Sequence, residues 1–334
     1  MKLLGQWALL ALVLAGCQKQ RPQPEALTET FKGTSLAGSL TNALSQEPPE
    51  SLSDARRDWV TTIDPRAESK EPVQPAPVEI FRTIKYPAAS GDLAAYVTPD
   101  PGDGHQHPSI VWITGGDCNS IGDVWSPAPR GNDQTAGAYR KAGIVMMFPS
   151  LRGGNDNPGI KEGFLGEVDD ILAATDFLAK QTYVDPQRIY LGGHSTGGTL
   201  ALLVAECSNR YRAVFSFGPV DDVAGYGADS GFLPFDMLNR REVELRSPGY
   251  WLPSIQSPVW VFEGSGSPSN IEALRAMAKA STNPQAHFIE VRAAGHFDVL
   301  APTNELIATK ILQDTAAASQ LSLSENEVNQ NLAR

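Results

Sequence analysis

Arg188-Ile189-Tyr190-Leu191-Gly192-Gly193-His194-Ser195-Thr196-Gly197-Gly198-Thr199-Leu200 places an apolar strand, a glycine-flanked serine and a helix-forming run in immediate succession. This is the pattern of a nucleophile elbow. In G-x-S-x-G the serine takes a sharp strand-to-helix turn with strained backbone, and Gly193 and Gly197 remove side chains where strand and helix crowd together. Ser195 Oγ is thereby left exposed. The same turn opens a helix, so the Thr196 N–H has no partner inside that helix and is available to a developing oxyanion. A chance G-x-S-x-G in a loop lacks this context; here Ile189-Tyr190-Leu191 precedes the serine and Leu200 to Ala205 follow at helical spacing.

Outward from the serine, strand and helix signals alternate. Glu79 to Tyr86 and Leu93 to Thr98 alternate like an exposed hairpin around Ser90-Gly91-Asp92, while Ser109 to Thr114 and Gly143 to Phe148 are continuous apolar runs suited to buried parallel strands. Glu167 to Lys180 reads as a helix with acids in its first turn and a core stripe from Ile171 to Leu178. Ala213 to Phe217, Pro258 to Phe262 and Ala286 to Val291 add strands, interleaved with helices near Asn270 to Ala280 and Asn304 to Asp314. Such alternation predicts a mostly parallel twisted sheet with helices on both faces. Gly225 to Tyr250, with Tyr226, Phe232, Phe235 and the nearby Trp251, reads either as a small cap or as core packing.

The N-terminus has a different character. One lysine, an apolar run from Leu3 to Leu14 and small residues before Cys17 make residues 1–17 a secretory signal. The run is too short for a comfortable membrane span, which needs ~20 apolar residues. Leu14-Ala15-Gly16-Cys17 resembles the lipobox of bacterial lipoproteins, in which cleavage precedes the cysteine and the cysteine is acylated. That resemblance implies lipidation at Cys17, and Gln18 after it implies the periplasmic face of the outer membrane. Residues 18–77, rich in Pro, Gln, Glu, Ser and Thr, read as a flexible tether with room for a short helix around Ser53 to Val60, Ser53 as its cap. The catalytic body is expected over 78–317, and 318–334 as a polar tail.

The chain has 334 residues, 41% hydrophobic and 19% charged, with a formal net charge of −11. One α/β domain of ~250 residues buries a full core. The acidic balance argues against nucleic acid and against adsorption to anionic lipid, so membrane contact falls to the lipid anchor alone. Cys118 and Cys207 are not expected to pair, because Cys207 lies on the order of 18 Å down the helix after Ser195 and a disulfide needs Cα atoms within about 7 Å.

A serine nucleophile needs a base within reach. His296, in Ala294-Gly295-His296-Phe297 after the last strand, is the candidate. His105 and His107 sit in a Pro/Gly-rich turn, His194 inside the elbow and His287 at a strand start. No Cys or carboxylate cluster completes a metal site around His105 and His107. Neither metal nor cofactor is called for.

From about Val78 to Asp314 the chain resembles the α/β-hydrolase superfamily, and within it the catalytic domain of the prolyl oligopeptidase and dipeptidyl peptidase group. Ser150-Leu151-Arg152-Gly153-Gly154, Gly166-Glu167-Val168-Asp169-Asp170 and Gly193-His194-Ser195-Thr196-Gly197-Gly198 carry the resemblance. It implies an oxyanion loop at Gly115-Gly116, with Thr114 or its neighbour where the peptidases usually place a tyrosine. The propeller of large members is absent from the pattern. The family usually takes its acid from the loop after the penultimate strand, and here Ser267 stands near that place. Glu263, at the strand end, is the carboxylate nearest to it; Asp221 or Asp222, after Phe217, are alternatives.

The expected activity is a serine hydrolase acting on a small ester or peptide. Ser195 attacks, His296 moves the proton, Glu263 orients the imidazole, and the N–H groups of Thr196 and near Gly116 hold the oxyanion. The competing expectation is a degenerate hydrolase fold serving as an envelope binding or scaffold protein.

Overall fold

A computed structural model of the chain describes residues 50–64, 70–227 and 232–332. The expected signal peptide and Cys17 lie outside the described residues. Among the described residues eight strands form one sheet: β1 (Arg82–Ala88), β2 (Gly91–Val97), β3 (His107–Ile113), β4 (Val145–Pro149), β5 (Val184–His194), β6 (Val214–Phe217), β7 (Val259–Gly264) and β8 (Ala286–Val291). Their spatial order is β1-β2-β4-β3-β5-β6-β7-β8. The β1–β2 and β2–β4 pairs are antiparallel and every later pair is parallel. The described residues also form the α-helices α1 (Leu52–Arg57), α2 (Gly137–Lys141), α3 (Glu167–Ala179), α4 (Thr196–Cys207), α5 (Arg240–Glu244), α6 (Ile271–Ala280), α7 (Leu300–Gln313) and α8 (Glu325–Leu332). This is the α/β-hydrolase fold.

The sheet divides the core in two because successive strand residues face opposite sides. Val111, Ile113, Leu191, Val214 and Val261 pack with α1, α3, α4 and α6 through Leu52, Ile171, Leu203 and Met277. Trp112, Tyr190, Phe215, Phe217 and Phe262 pack on the other face with Tyr139 of α2 and Ile307 and Ile311 of α7. Runs buried on both faces carry no polar alternation, which explains the continuous apolar stretches of the central strands. β5 is longer than the Arg188–Leu191 expected, because Gly192 and Gly193 continue it. A Cβ on Gly192 would stand 2.6 Å from the Trp112 ring, so glycine fills the strand position that this ring covers.

Two expectations at the ends change. The segment 18–77 is not all tether: α1 is capped by Ser51, whose Oγ accepts from Asp54 N, two residues before the expected cap. Leu52 is fully buried, and Ser51 onward belongs to the same compact unit as the sheet. Leu52 and Ala55 lie three apart and so face one side of even a single helical turn. The expected polar tail likewise contains α8, seated on the edge strand β8. Asn329 Oδ1 accepts from Arg292 N at 2.6 Å and its Nδ2 donates to Glu290 O at 3.1 Å, satisfying backbone groups that an edge strand otherwise leaves open. α7 begins at Leu300 rather than Asn304; Pro302 falls in its first turn, where no helical N–H bond is lost.

Candidate active site

The chain turns from β5 into α4 at Ser195, which has φ 56° and ψ −117°. A non-glycine residue held there is strained, and the surroundings hold it: Ser195 N donates to Phe217 O at 2.7 Å. A Cβ on Gly193 would lie 2.4 Å from Gly197 O, and one on Gly197 would lie 2.3 Å from Ile113 O. These two approaches are why the motif demands glycine on both sides. The first closed backbone bond of α4 runs from Thr199 N to Ser195 O at 2.9 Å, which leaves Thr196 N outside the helical ladder. Thr196 Oγ1 donates to Gly116 O at 2.9 Å, so the Gly115-Gly116 loop is fastened directly to the elbow.

His296 and Glu263 meet. His296 Nδ1 lies 2.9 Å from Glu263 Oε2, and Glu263 Oε1 accepts from Gly264 N at 2.8 Å. Glu263 is wholly buried at the end of β7 and His296 is 5% exposed. The His296 backbone is held too, its N–H donating to Pro268 O at 2.8 Å. Among the described residues Ser195 Oγ makes no hydrogen bond to His296 Nε2; nucleophile–base bonds commonly tighten only in the substrate complex. Asp222 is elsewhere engaged, its carboxylate accepting from Ala224 N at 2.8 Å to cap a 3-10 turn, and Asp221 uses its carbonyl to accept from Gly249 N at 2.8 Å.

Sequence reasoning missed Gly218 and Gln134. Gly218 follows β6 at φ +58°, and a Cβ there would fall 2.5 Å from His296 Cε1 and 2.6 Å from Glu263 Oε2. Only glycine leaves room for the acid and the imidazole to meet. A glycine directly after an apolar strand was the available signal. Gln134 bonds both Gly115 and His194 from a loop with no motif around it.

The other two stretches of the family resemblance, both ahead of the elbow in sequence, build a scaffold beside the loop after β3. Arg152 Nε and Nη2 donate to Asp170 Oδ2 and Oδ1, each at 2.9 Å. Asn119 Nδ2 bridges from the loop after β3 to Arg152 O at 2.8 Å and to Glu167 Oε1 at 3.0 Å. Burial pushes the Glu167 carboxyl up, against the lowering effect of the Asn119 bond. Of the aromatics in residues 225–251, Tyr226 reaches the first turn of α4, its hydroxyl 2.7 Å from Thr199 Oγ1, and its ring packs at a tilt against Phe164 and Phe232. Phe235 instead lies under the Arg246 guanidinium and Trp251 Nε1 donates to Glu244 O, and both belong to the core on the α4 side of the sheet. Cys118 and Cys207 are free thiols. His107 pairs with Asp103 at 3.1 Å, away from the elbow.

Residues 133–247 match the model of the prolyl oligopeptidase family, Peptidase_S9. The chain is 34% identical over 111 residues to prolyl oligopeptidase A of Amanita bisporigera, a match covering 31% of this chain and 13% of that relative. It is 28% identical over 131 residues to the dual function macrocyclase-peptidase of Galerina marginata, covering 37% and 17%. The match thus spans less than a fifth of these curated relatives. Among solved structures, a Mycobacterium tuberculosis puromycin-hydrolyzing peptidase superposes with a TM-score of 0.56 at 19% identity, over 70% of this chain and 39% of that one. A Pyrobaculum calidifontis esterase superposes at 0.52 and 18% identity, over 71% of this chain and 86% of the other. These likenesses carry the fold. The segment that matches the prolyl oligopeptidase family model thus contains the elbow, and it lies in an eight-stranded sheet of the α/β-hydrolase fold with Ser195, Glu263 and His296 near the strand ends.

Proposed function

We propose that this protein hydrolyses a small ester or peptide through an acyl-enzyme on Ser195. The observation that carries the reading is the buried Glu263–His296 bond at 2.9 Å, formed where β7 and β8 end beside the strained elbow. His296 takes the Ser195 proton as the carbonyl is attacked and returns it to the leaving group. Glu263 fixes Nδ1–H and so leaves Nε2 as the basic nitrogen. Thr196 N–H, together with an N–H near Gly116, receives the oxyanion. The prolyl oligopeptidase segment favours a peptide or aminoacyl amide over other acyl compounds, and the esterase-like superposition keeps simple esters within reach of the same machinery. A retained serine, base and acid speak against a degenerate scaffold.

Purified protein is expected to hydrolyse p-nitrophenyl acetate or an aminoacyl amide, and Ser195→Ala to abolish it. Equal rates for the two proteins, on esters and amides alike, would remove the enzymatic reading. We further propose that the protein is held at the periplasmic face of the outer membrane through a lipid on Cys17, which the apolar run and the Leu14-Ala15-Gly16-Cys17 ending support. Cys17→Ser should then pass from the detergent-extracted to the soluble fraction; unchanged fractionation would end that claim.

A further inference from the structure

Gln134 stands in the loop ahead of α2, remote in sequence from every motif of the site. Its Oε1 accepts from Gly115 N at 3.3 Å, and its Nε2 lies 2.8 Å from both Asn132 Oδ1 and His194 Nδ1. On the other side of the His194 ring, Nε2 stands 2.8 Å from His296 O. A carbonyl oxygen only accepts, so His194 Nε2 carries a proton, and in the neutral ring Nδ1 is then bare. A bare Nδ1 is what the Gln134 N–H requires. One tautomer and one amide orientation therefore satisfy every atom from Gly115 to His296.

We infer that Gln134 and His194 form a strut that positions His296 and ties it to the oxyanion loop. Both are positioning residues for the proposed hydrolysis, and the inference rests on His296 being its base. The His296 backbone is then gripped at both ends, by Pro268 O on its N–H and by His194 on its carbonyl, while Glu263 holds the ring. The His194 and His296 rings are 4.5 Å apart. Burial holds the His194 imidazole well below its ordinary range, and the neighbouring His296 charge lowers it further, against the raising effect of the bond to His296 O. Burial thus disfavours His194 as a proton acceptor.

The test uses the full chain with p-nitrophenyl acetate, alongside ¹H–¹⁵N spectra of the imidazole groups, on wild type, His194→Gln, His194→Phe and Gln134→Leu. Glutamine keeps a donor near the place of Nε2, whereas phenylalanine keeps the ring and loses it. His194→Phe should lose about 100-fold in kcat, the cost of a small misplacement, with KM changed by no more than about twofold. His194→Gln should recover to within about tenfold of wild type. The His296 Nδ1–H signal should persist in His194→Gln and exchange away in His194→Phe. Gln134 is only half buried, so Gln134→Leu spares the core and should show the same kcat-specific loss even where His194→Phe fails to fold. Combining Gln134→Leu with His194→Phe should add nothing to the latter, because the two act as one unit. Equal kcat in His194→Phe and His194→Gln, or full additivity, overturns the strut. If wild type turns over neither ester nor amide, the hydrolase reading falls and the signal alone decides: its survival in His194→Phe overturns the strut, its loss upholds it.

Discussion

Glu263 Oε2 accepts from His296 Nδ1 at 2.9 Å while Glu263 Oε1 accepts from Gly264 N at 2.8 Å, so both oxygens of a wholly buried carboxylate are committed. The Gly264 N–H decides what an amide does in the same place. In Glu263→Gln the side-chain oxygen takes the Gly264 N–H, and the NH₂ is turned toward Nδ1. The imidazole is then driven to the tautomer with its proton on Nε2, which cannot accept from Ser195. The fold should survive and kcat should fall by up to ~10⁴-fold, as for an Asp→Asn change in a known triad. Asp222→Asn, at a residue that caps a turn, should leave kcat within about threefold by the same steady-state assay. Reversed magnitudes would transfer the role to Asp222.

Gly218 supplies the second test. Alanine there meets His296 and Glu263 at 2.5–2.6 Å and adds the cost of φ +58°. Gly218→Ala should lower stability by about 1–2 kcal/mol and kcat by about 100-fold, measured by thermal unfolding and ester hydrolysis. Unchanged kcat would show that the acid and imidazole have room to spare.

What could be read in advance followed the physics of each element. The central strands were legible because burial on both faces strips them of polar residues, as in Ile110-Val111-Trp112-Ile113. The elbow was legible because Gly193 and Gly197 answer steric contacts within a few residues of Ser195. Glu263 stood out as the carboxylate at the end of its strand. Gln134 was not legible, since its partners Gly115 and His194 come from other strand ends and nothing local marks it. α8 was missed, and α1 was read only as a short helix within a tether, for a related reason. Each buries only a few apolar side chains, Leu52 and Ala55 or Val328, and a stripe that short is lost in a polar composition.

Glu206 on α4 gives a stability prediction with a definite sign. Its side chain is fully buried, neither oxygen has a hydrogen-bond partner among the described residues, and burial raises its pKa well above the usual carboxylate range. The folded state keeps this proton while the unfolded chain releases it above about pH 4.3, so the native state loses stability as pH rises past that point. Glu206→Met should stabilise by about 1–3 kcal/mol at pH 8, with the gain shrinking toward pH 4. Denaturant titrations at the two pH values check it; a gain that grows on acidification contradicts it.

Arg152 and Asp170 predict the opposite outcome. Asp170 is wholly buried and meets Arg152 through two side-chain bonds and one backbone bond, all at 2.9 Å. Asp170→Ala leaves the guanidinium with Glu162 as its one remaining carboxylate and should cost about 3 kcal/mol, the low end of the range for breaking buried pairs. A loss below about 1 kcal/mol in urea unfolding would mean the pair is solvated.

The central claim is that Ser195 is the nucleophile and that His296 activates it. Intact-mass analysis after treatment with a fluorophosphonate, followed by peptide mapping, measures this most directly. The account predicts one phosphonyl adduct per chain, located on Ser195, absent in Ser195→Ala and formed far more slowly in His296→Ala. An unlabelled wild type, or an adduct mapped to another residue, would contradict it.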